Sequence, residues 1–570
     1  MQRVCGGDDQ AHGVTSAGGA RSRDGSITCL FFGKRAHASS SAIKIALALV
    51  TINPAKQLRI DNRVGSLEAG KDADVVIWNH HPLSSYAIAD RVYIDGQKYY
   101  DRLDDQKRLT ELAKEKETLI AAERGERRNP STTDGDGNGN GHGAAVGIAI
   151  DRGLASPPAQ RLTTPTKGIV VITNARIFPI GKPPIDRGTI VIRDGIIASV
   201  GANVAVPAGA QQLIDAAGAD VYPGFINARS TLGLADPGAG GFDDTDEILD
   251  FNPQLRPQVA FHNDSDSIPV ARANGVTTAA VTPGGGLFGG QVAVMDLDGW
   301  TWEESTVKTA VGISFQFPAM SGGGRGGGRG GDAQQAQRTY QDLKKDRDAR
   351  LDQVAHLLDE ARAYAKAAGP NRRTDWKLDA LVPVINKQIP LITRANTEQD
   401  IRDAVAFADR ADVKIVISGG IEAPMVAPLL KDKNIPVILG SVLTLPSRPD
   451  LPHHASYSAA GELVKAGVKI AFATGDADNA RQLPYQAAQS VAWGLSRDDA
   501  LKALTINAAD ILGVADRVGS IEPGRIANLV ISKGDPLEVR TTFTHVLIAG
   551  HDVGLDTKQL ALYERYSKRP

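Results

Sequence analysis

From residue 168 to residue 226 apolar and polar positions largely alternate, through IVVITNARIF and GTIVIRDGIIASVG to VYPGFINA. A period of two is the signature of half-buried strands, so this stretch predicts a strand-rich unit. After Ala228 the pattern changes. Short apolar runs (VTTAAV, IPLIT, VKIVIS, IPVILG, VKIAFAT) alternate with segments of helical period such as IRDAVAFADRA and PMVAPLLKDK. The runs are too short for helices and too apolar for sheets wetted on one face. Repeated strand–helix units of this kind predict an α/β fold, a (β/α)8 TIM-like barrel. The tract SGGGRGGGRGGDAQQAQ interrupts the series and reads as a surface insertion rather than an RNA-binding element, because the chain is not basic.

The pattern also repeats. Thr51–Gly96 aligns without a gap on Thr505–Gly550, with nineteen identities in forty-six positions. Each copy carries an amphipathic helix, a turn through GSLEAG or GSIEPG, and two short strands ending at a glycine. Between the copies lie a charged helix, about residues 101–127, and the tract TTDGDGNGNGHG, a flexible linker by composition. The organisation expected is therefore an aperiodic start, 1–41, not native sequence, and the C-terminal remnant of a first copy, 42–127. A linker, 128–167, and a barrel, 227–513, follow. A small composite β-sandwich, 168–226 with 514–556, flanks the barrel. A tail lacking its own barrel suggests a truncated or frameshifted gene whose intact form holds two full copies.

Composition adds mostly exclusions. The 570 residues carry a formal net charge of −2, with 23% charged and 42% hydrophobic residues. Nothing in that balance calls for nucleic acid or membrane as partner, and no stretch approaches the roughly 20 apolar residues of a bilayer span. The N-terminus lacks the apolar core of a secretory signal. Both cysteines, Cys5 and Cys29, lie in the first thirty residues with no metal-ligand spacing. Oligomeric state, a homo-oligomer included, is left open.

PGFINARSTLG (Pro223 to Gly233) resembles the strand-one signature PGFIDAHTHLG of the metal-dependent amidohydrolases, particularly the imidazolonepropionase-like branch. GSIEPGRIANLVI and ATGDADNARQLPYQAA are similar to further segments of that family. The resemblance implies a hydrolase acting on non-peptide carbon–nitrogen bonds. Its cofactor is a divalent metal, typically zinc, that lowers the pKa of bound water at the C-terminal mouth of the barrel. It further implies two strand-one His, a bridging carboxylate or modified Lys, one His each on strands five and six, and a strand-eight Asp that doubles as base.

On those positions this chain departs from the pattern. The strand-one histidines become Arg229 and Thr231, the strand-five position falls on Arg394 with Asn396 two further on, and the strand-six position falls on Gly419. Only the strand-eight Asp476 survives, as the one catalytic-type residue. Arginine cannot coordinate a metal and brings a permanent positive charge, so no metal or other cofactor is expected. His453, His454, His262, His80 and His81 are read as surface or solvated histidines. Asp476 is expected to serve Arg229 or Arg394 as a salt-bridge partner, with Arg229, Thr231 and Arg394 forming a binding pocket. Three functions remain open: an active hydrolase with a rebuilt site, a non-catalytic half of a tandem protein, and a module binding a small anionic molecule through Arg229 and Arg394.

Overall fold

The computed structural model describes residues 40–126, 167–236, 241–319, 339–367 and 374–568. The expectations for the start of the chain, for nearly all of the linker and for the Gly–Arg tract lie outside these residues. The chain divides into two compact units.

The first unit contains helices Ser40–Val50 and Ile52–Leu58, an antiparallel sheet of β1 (Val75–Trp78), β2 (Ala89–Ile94) and β3 (Gln97–Asp101), and the helix Arg102–Glu126. The last helix is charged on every face, as its composition predicts.

The second unit opens with β4 (Ile169–Ile177), β5 (Ile185–Arg193), β6 (Ile196–Gly201), β7 (Gln212–Asp215) and β8 (Asp220–Pro223). The barrel follows as β9 (Phe225–Ser230), β10 (Val276–Val281), β11 (Phe288–Asp296), β12 (Thr306–Gln316), β13 (Leu391–Ala395), β14 (Ile415–Gly419), β15 (Val437–Leu439) and β16 (Ile470–Phe472). The chain ends in β17 (Leu529–Lys533), β18 (Thr542–Ile548) and β19 (His551–Asp552), then helix Lys558–Tyr566.

Strands β4 to β8 and β17 to β19 form one mixed sheet, with β8 paired to β17 through Leu529↔Pro223 and Ile531↔Val221. The two chain ends thus build the composite β unit together. Its far side curls back, since Ile196 bridges to Ile526, and the sheet encloses a core of Ile172, Ile177, Ile192, Leu529, Ile531 and neighbours.

The barrel strands pair in sequence order, β9 through β16. Seven run parallel; β11 is antiparallel to both β10 and β12. The reason is length: only six residues separate Val281 from Phe288, enough for a hairpin and too few for the crossover that parallel strands need. Ile226, Ala228, Val292, Ile392, Val416 and Ala471 fill the interior, a packed core rather than a pore. Between β9 and β16 the ring closes through Asn227. Its amide donates to Thr474 Oγ1 at 2.8 Å and accepts from Thr474 N at 3.2 Å, while Gly475 N donates to Arg229 O at 3.1 Å.

The repeat is structural as well as sequential. In both copies the helix breaks at one threonine, Thr51 (φ −127°, ψ −93°) and Thr505 (φ −132°, ψ −99°). Each hydroxyl donates back to a carbonyl four residues earlier, Leu47 O at 2.7 Å and Leu501 O at 2.6 Å. A Cβ on Gly65 would meet Ala55 Cβ at 2.8 Å, and one on Gly519 would meet Ala509 Cβ at 2.8 Å, so only glycine fits either turn. Strand registers match too: Val75↔Tyr93 with a bulge at Ile77/Trp78, and Leu529↔Leu547 with a bulge at Ile531/Ser532.

One buried carboxylate links the barrel to the composite sheet. Asp296, 7% exposed at the end of β11, accepts from Thr278 Oγ1 at 2.9 Å and from Asn528 Nδ2 at 2.6 Å, both on Oδ1. Burial pushes its pKa up to about 7, against the pull of the two hydrogen bonds. A folded pKa above the unfolded one means the fold prefers the protonated acid. Stability is therefore lost as pH rises from about 4 towards 7. Asp296→Asn keeps an acceptor for both donors and removes the charge. It is expected to raise the unfolding free energy at pH 8 by about 1–3 kcal/mol, a gain that shrinks towards pH 4. Denaturant melts at several pH values check this, and a variant that is less stable at pH 8 contradicts it.

Candidate functional site at the barrel mouth

β9 carries one extra residue between Asn227 and Ser230, opposite Ala279–Val281 of β10. A bulge at the rim of a barrel re-aims the side chains that follow. Here it coincides with Arg229, half-buried at the C-terminal end of the strand. Thr231 follows, half-buried; its carbonyl accepts from Leu234 N at 2.9 Å and so starts the loop that leaves the barrel.

The closure between β9 and β16 sets Arg229 beside the loop after β16. A Cβ on Gly475 would lie 3.3 Å from Arg229 Nη1, and Gly475 takes φ +84°. Glycine there lets the guanidinium lie against the backbone. Burial is the main cause lowering the pKa of Arg229, to about 10. The positive charge of Arg394 lowers it further, and Asp476 acts in the opposite direction. Arg394 on β13 and Asp476 after β16 are thus both near enough for their charges to act on Arg229.

Asp476 does not spend its carboxylate on the arginines. Oδ1 accepts from Asn479 N at 2.9 Å and Oδ2 from Asn479 Nδ2 at 3.1 Å, fixing the turn that enters the short helix Ala480–Gln482. Asp476 meets Arg229 as a nearby charge, without an ion pair. Among the described residues the Arg229 guanidinium makes neither a hydrogen bond nor a close ion pair. The sequence could not reveal that Asn479, three residues on, captures both oxygens.

β13 delivers Arg394, exposed, beside Asn396, and Thr397 caps the helix Glu398–Ala411 by accepting from Asp400 N at 3.1 Å. On β14, Gly419 has φ +94°, and a Cβ there would collide with Asn396 Oδ1. A side chain at the strand-six position would need that amide to move and would take a left-handed backbone. Ser418, the register partner of Arg394, is 1% exposed; its hydroxyl has no hydrogen-bond partner among the described residues. Glu422, 2% exposed, accepts from Glu398 N at 2.8 Å and Ser447 Oγ at 2.7 Å and pairs with Arg448 Nε at 3.2 Å. Sequence reasoning missed Ser418 and Glu422, because neither residue type signals burial. Beside Asp476, the Asp478 carboxyl titrates above its usual range, chiefly through burial and then through the charge of Asp476.

The histidines lie elsewhere in contact terms. His454 stacks on Trp493 with centroids 4.6 Å apart, and His453 meets the same indole edge-on at 5.9 Å. His262 pairs with Asp244 at 3.0 Å and stacks on Phe242. In the first unit, His80 is exposed and His81 Nδ1 accepts from Leu83 N at 3.2 Å. Among the described residues no group of three or more His, Cys, Asp or Glu side chains is arranged to hold a metal.

The solved structure of an amidohydrolase from Thermotoga maritima MSB8 superposes with a TM-score of 0.59 at 28% identity, covering 68% of this chain and 99% of that one. The profile described as "Amidohydrolase family" matches residues 8–113 and 454–553, two segments that each contain one copy of the repeat. Both comparisons point to the amidohydrolase superfamily. Shorter similarities agree. The amidohydrolase tasK of Hapsidospora irregularis is 45% identical over 56 residues, 10% of this chain. An imidazolonepropionase of Porphyromonas gingivalis is 35% identical over 81 residues, 14% of this chain, in keeping with the branch that PGFINARSTLG resembles. This chain spans 6% and 19% of the length of those two relatives. The barrel here carries eight strands in sequence order.

Proposed function

We propose that this amidohydrolase barrel is non-catalytic and metal-free, the second half of a tandem protein whose first half is represented by residues 42–127. One observation carries the reading: the strand-six position is a glycine at φ +94°, a backbone conformation that L side chains rarely adopt, with Asn396 Oδ1 reaching into the space a Cβ would take. A divalent metal in this family's chemistry needs nitrogen, sulfur or carboxylate donors converging on one point. The residues at these strand ends are Arg229, Thr231, Arg394 and Gly419, and the remaining carboxylate, Asp476, is committed to Asn479. They do not fit a metal. The duplicated helix break, glycine turn and strand register support the tandem reading, as does the profile match at both segments.

The test is turnover. Purified protein assayed with N-acyl amino acids and cyclic amides, with and without added zinc, is expected to show no hydrolysis above the uncatalysed rate. Turnover that disappears in Asp476→Ala would restore the enzyme reading.

A further inference from the structure

We propose that the turn 537–540 is a recognition surface for its own counterpart in the repeat, the turn 83–86, and that Glu538 makes it selective for that counterpart over a second copy of itself. What the barrel mouth binds does not bear on this interaction.

Leu83, Ser84, Ser85 and Tyr86 align on Leu537, Glu538, Val539 and Arg540 in the repeat. Each set lies in the connection between two antiparallel strands, β1 to β2 in one copy and β17 to β18 in the other. Ser84–Tyr86 nevertheless belongs to the second compact unit, apart from the strands on either side of it. There it meets its own equivalents. Ser84 Oγ donates to Glu538 Oε2 at 2.7 Å, Ser85 N donates to Glu538 Oε1 at 3.1 Å, and Val539 N donates to Ser85 Oγ at 2.9 Å. Ser84 and Glu538 hold the same place in the repeat, and so do Ser85 and Val539. Contact between equal positions of two like surfaces is the mark of a two-fold interface, and an incidental loop contact has no reason to select them. The surroundings complete the seat. Tyr86 OH donates to Asp535 Oδ2 at 2.7 Å, and Gln489 Nε2 donates to Ser85 O at 2.5 Å. Ser85 is 8% exposed, and Tyr86 packs against a core cluster to which Leu537 belongs.

The two turns share a backbone course and differ in chemistry. Glu538 brings two acceptor oxygens and a negative charge, whereas the serine turn brings a hydroxyl and an amide that donate. Two glutamate turns would set carboxylate against carboxylate. Two serine turns would lack the carboxylate altogether. Like charge facing like charge is a common device against self-pairing. The surface therefore fits a first-copy turn and rejects a second copy of its own.

Exchanging the pair tests this in the full-length protein, with hydrogen exchange read at 84–88 and 537–541. Ser84→Glu and Glu538→Ser, each alone, should open the contact and speed exchange of the residue-85 and residue-539 amides by about tenfold or more, as loss of a charge-assisted hydrogen bond requires. The double variant Ser84→Glu with Glu538→Ser again sets one carboxylate against one hydroxyl, from opposite sides. Its exchange should return to within about threefold of wild type. Protection in β14 and β17 should stay at the wild-type level throughout, which separates opening of the contact from unfolding. Sedimentation should give Ser84→Glu the wild-type mass, because the freed glutamate turn rejects its like. A double variant that exchanges as fast as the single ones, wild-type turns that exchange like free chain, or a Ser84→Glu protein that gains a dimer overturns the proposal.

Discussion

Truncating Ile531 to alanine is expected to destabilise the second unit by about 2–5 kcal/mol, whereas the same truncation at Ile77 should cost less than about 1 kcal/mol. The two isoleucines occupy the same place in the repeat, on β17 and β1. Each precedes the same bulge, opposite His545 in one copy and Arg91 in the other. Their surroundings differ. Ile531 is 0% exposed in the core of the composite sheet, whereas Ile77 is 42% exposed. β17 lies between β18 and β8, while β1 is an edge strand of a three-stranded sheet. No strand equivalent to β8 covers β1 among the described residues. The cost of a large-to-small change is the transfer energy of the lost methyls plus the cavity they leave, and an exposed site has neither in full. Denaturant unfolding of both variants, with hydrogen exchange read separately on each sheet, measures the pair. Equal losses would mean that β1 is buried in solution and that the first unit finds a cover for its strands.

That contrast shows what the amino-acid sequence can and cannot convey. The repeat was legible because identities at fixed spacing need no third dimension, and the threonine break, glycine turn and register follow in both copies. What covers each copy was not legible, since Val-Val-Ile and Leu-Val-Ile are equally apolar whether or not a neighbour strand arrives. The barrel was readable from strand–helix alternation, yet the antiparallel β11 was hidden in a glycine-rich connection whose shortness mattered more than its composition.

The site divides in the same way. Arg229, Arg394 and Gly419 stand out in sequence because a resemblance fixes their places on strands one, five and six. Asn396 filling the space over Gly419, Asn479 taking the Asp476 carboxylate and Ser418 lying dry beside Arg394 are contacts between strands or across a turn. No spacing rule announces them.

The second large effect concerns zinc itself. A catalytic zinc site keeps three or more protein ligands at fixed distances, and binding free energy falls steeply as ligands are lost. At the strand-end positions that the resemblance picks out, the described donors are Asp476, whose oxygens already serve Asn479, and the hydroxyl of Thr231. Arg229 and Arg394 add positive charge where a dication would have to sit. Even histidine placed at residue 419 would meet both φ +94° and Asn396 Oδ1. Elemental analysis of protein produced with zinc in the medium and purified without chelator therefore tests the central claim most directly. The expected result is well under one equivalent of zinc, manganese or iron per chain, unchanged by Asp476→Ala. One equivalent or more, lost on that substitution, would contradict it.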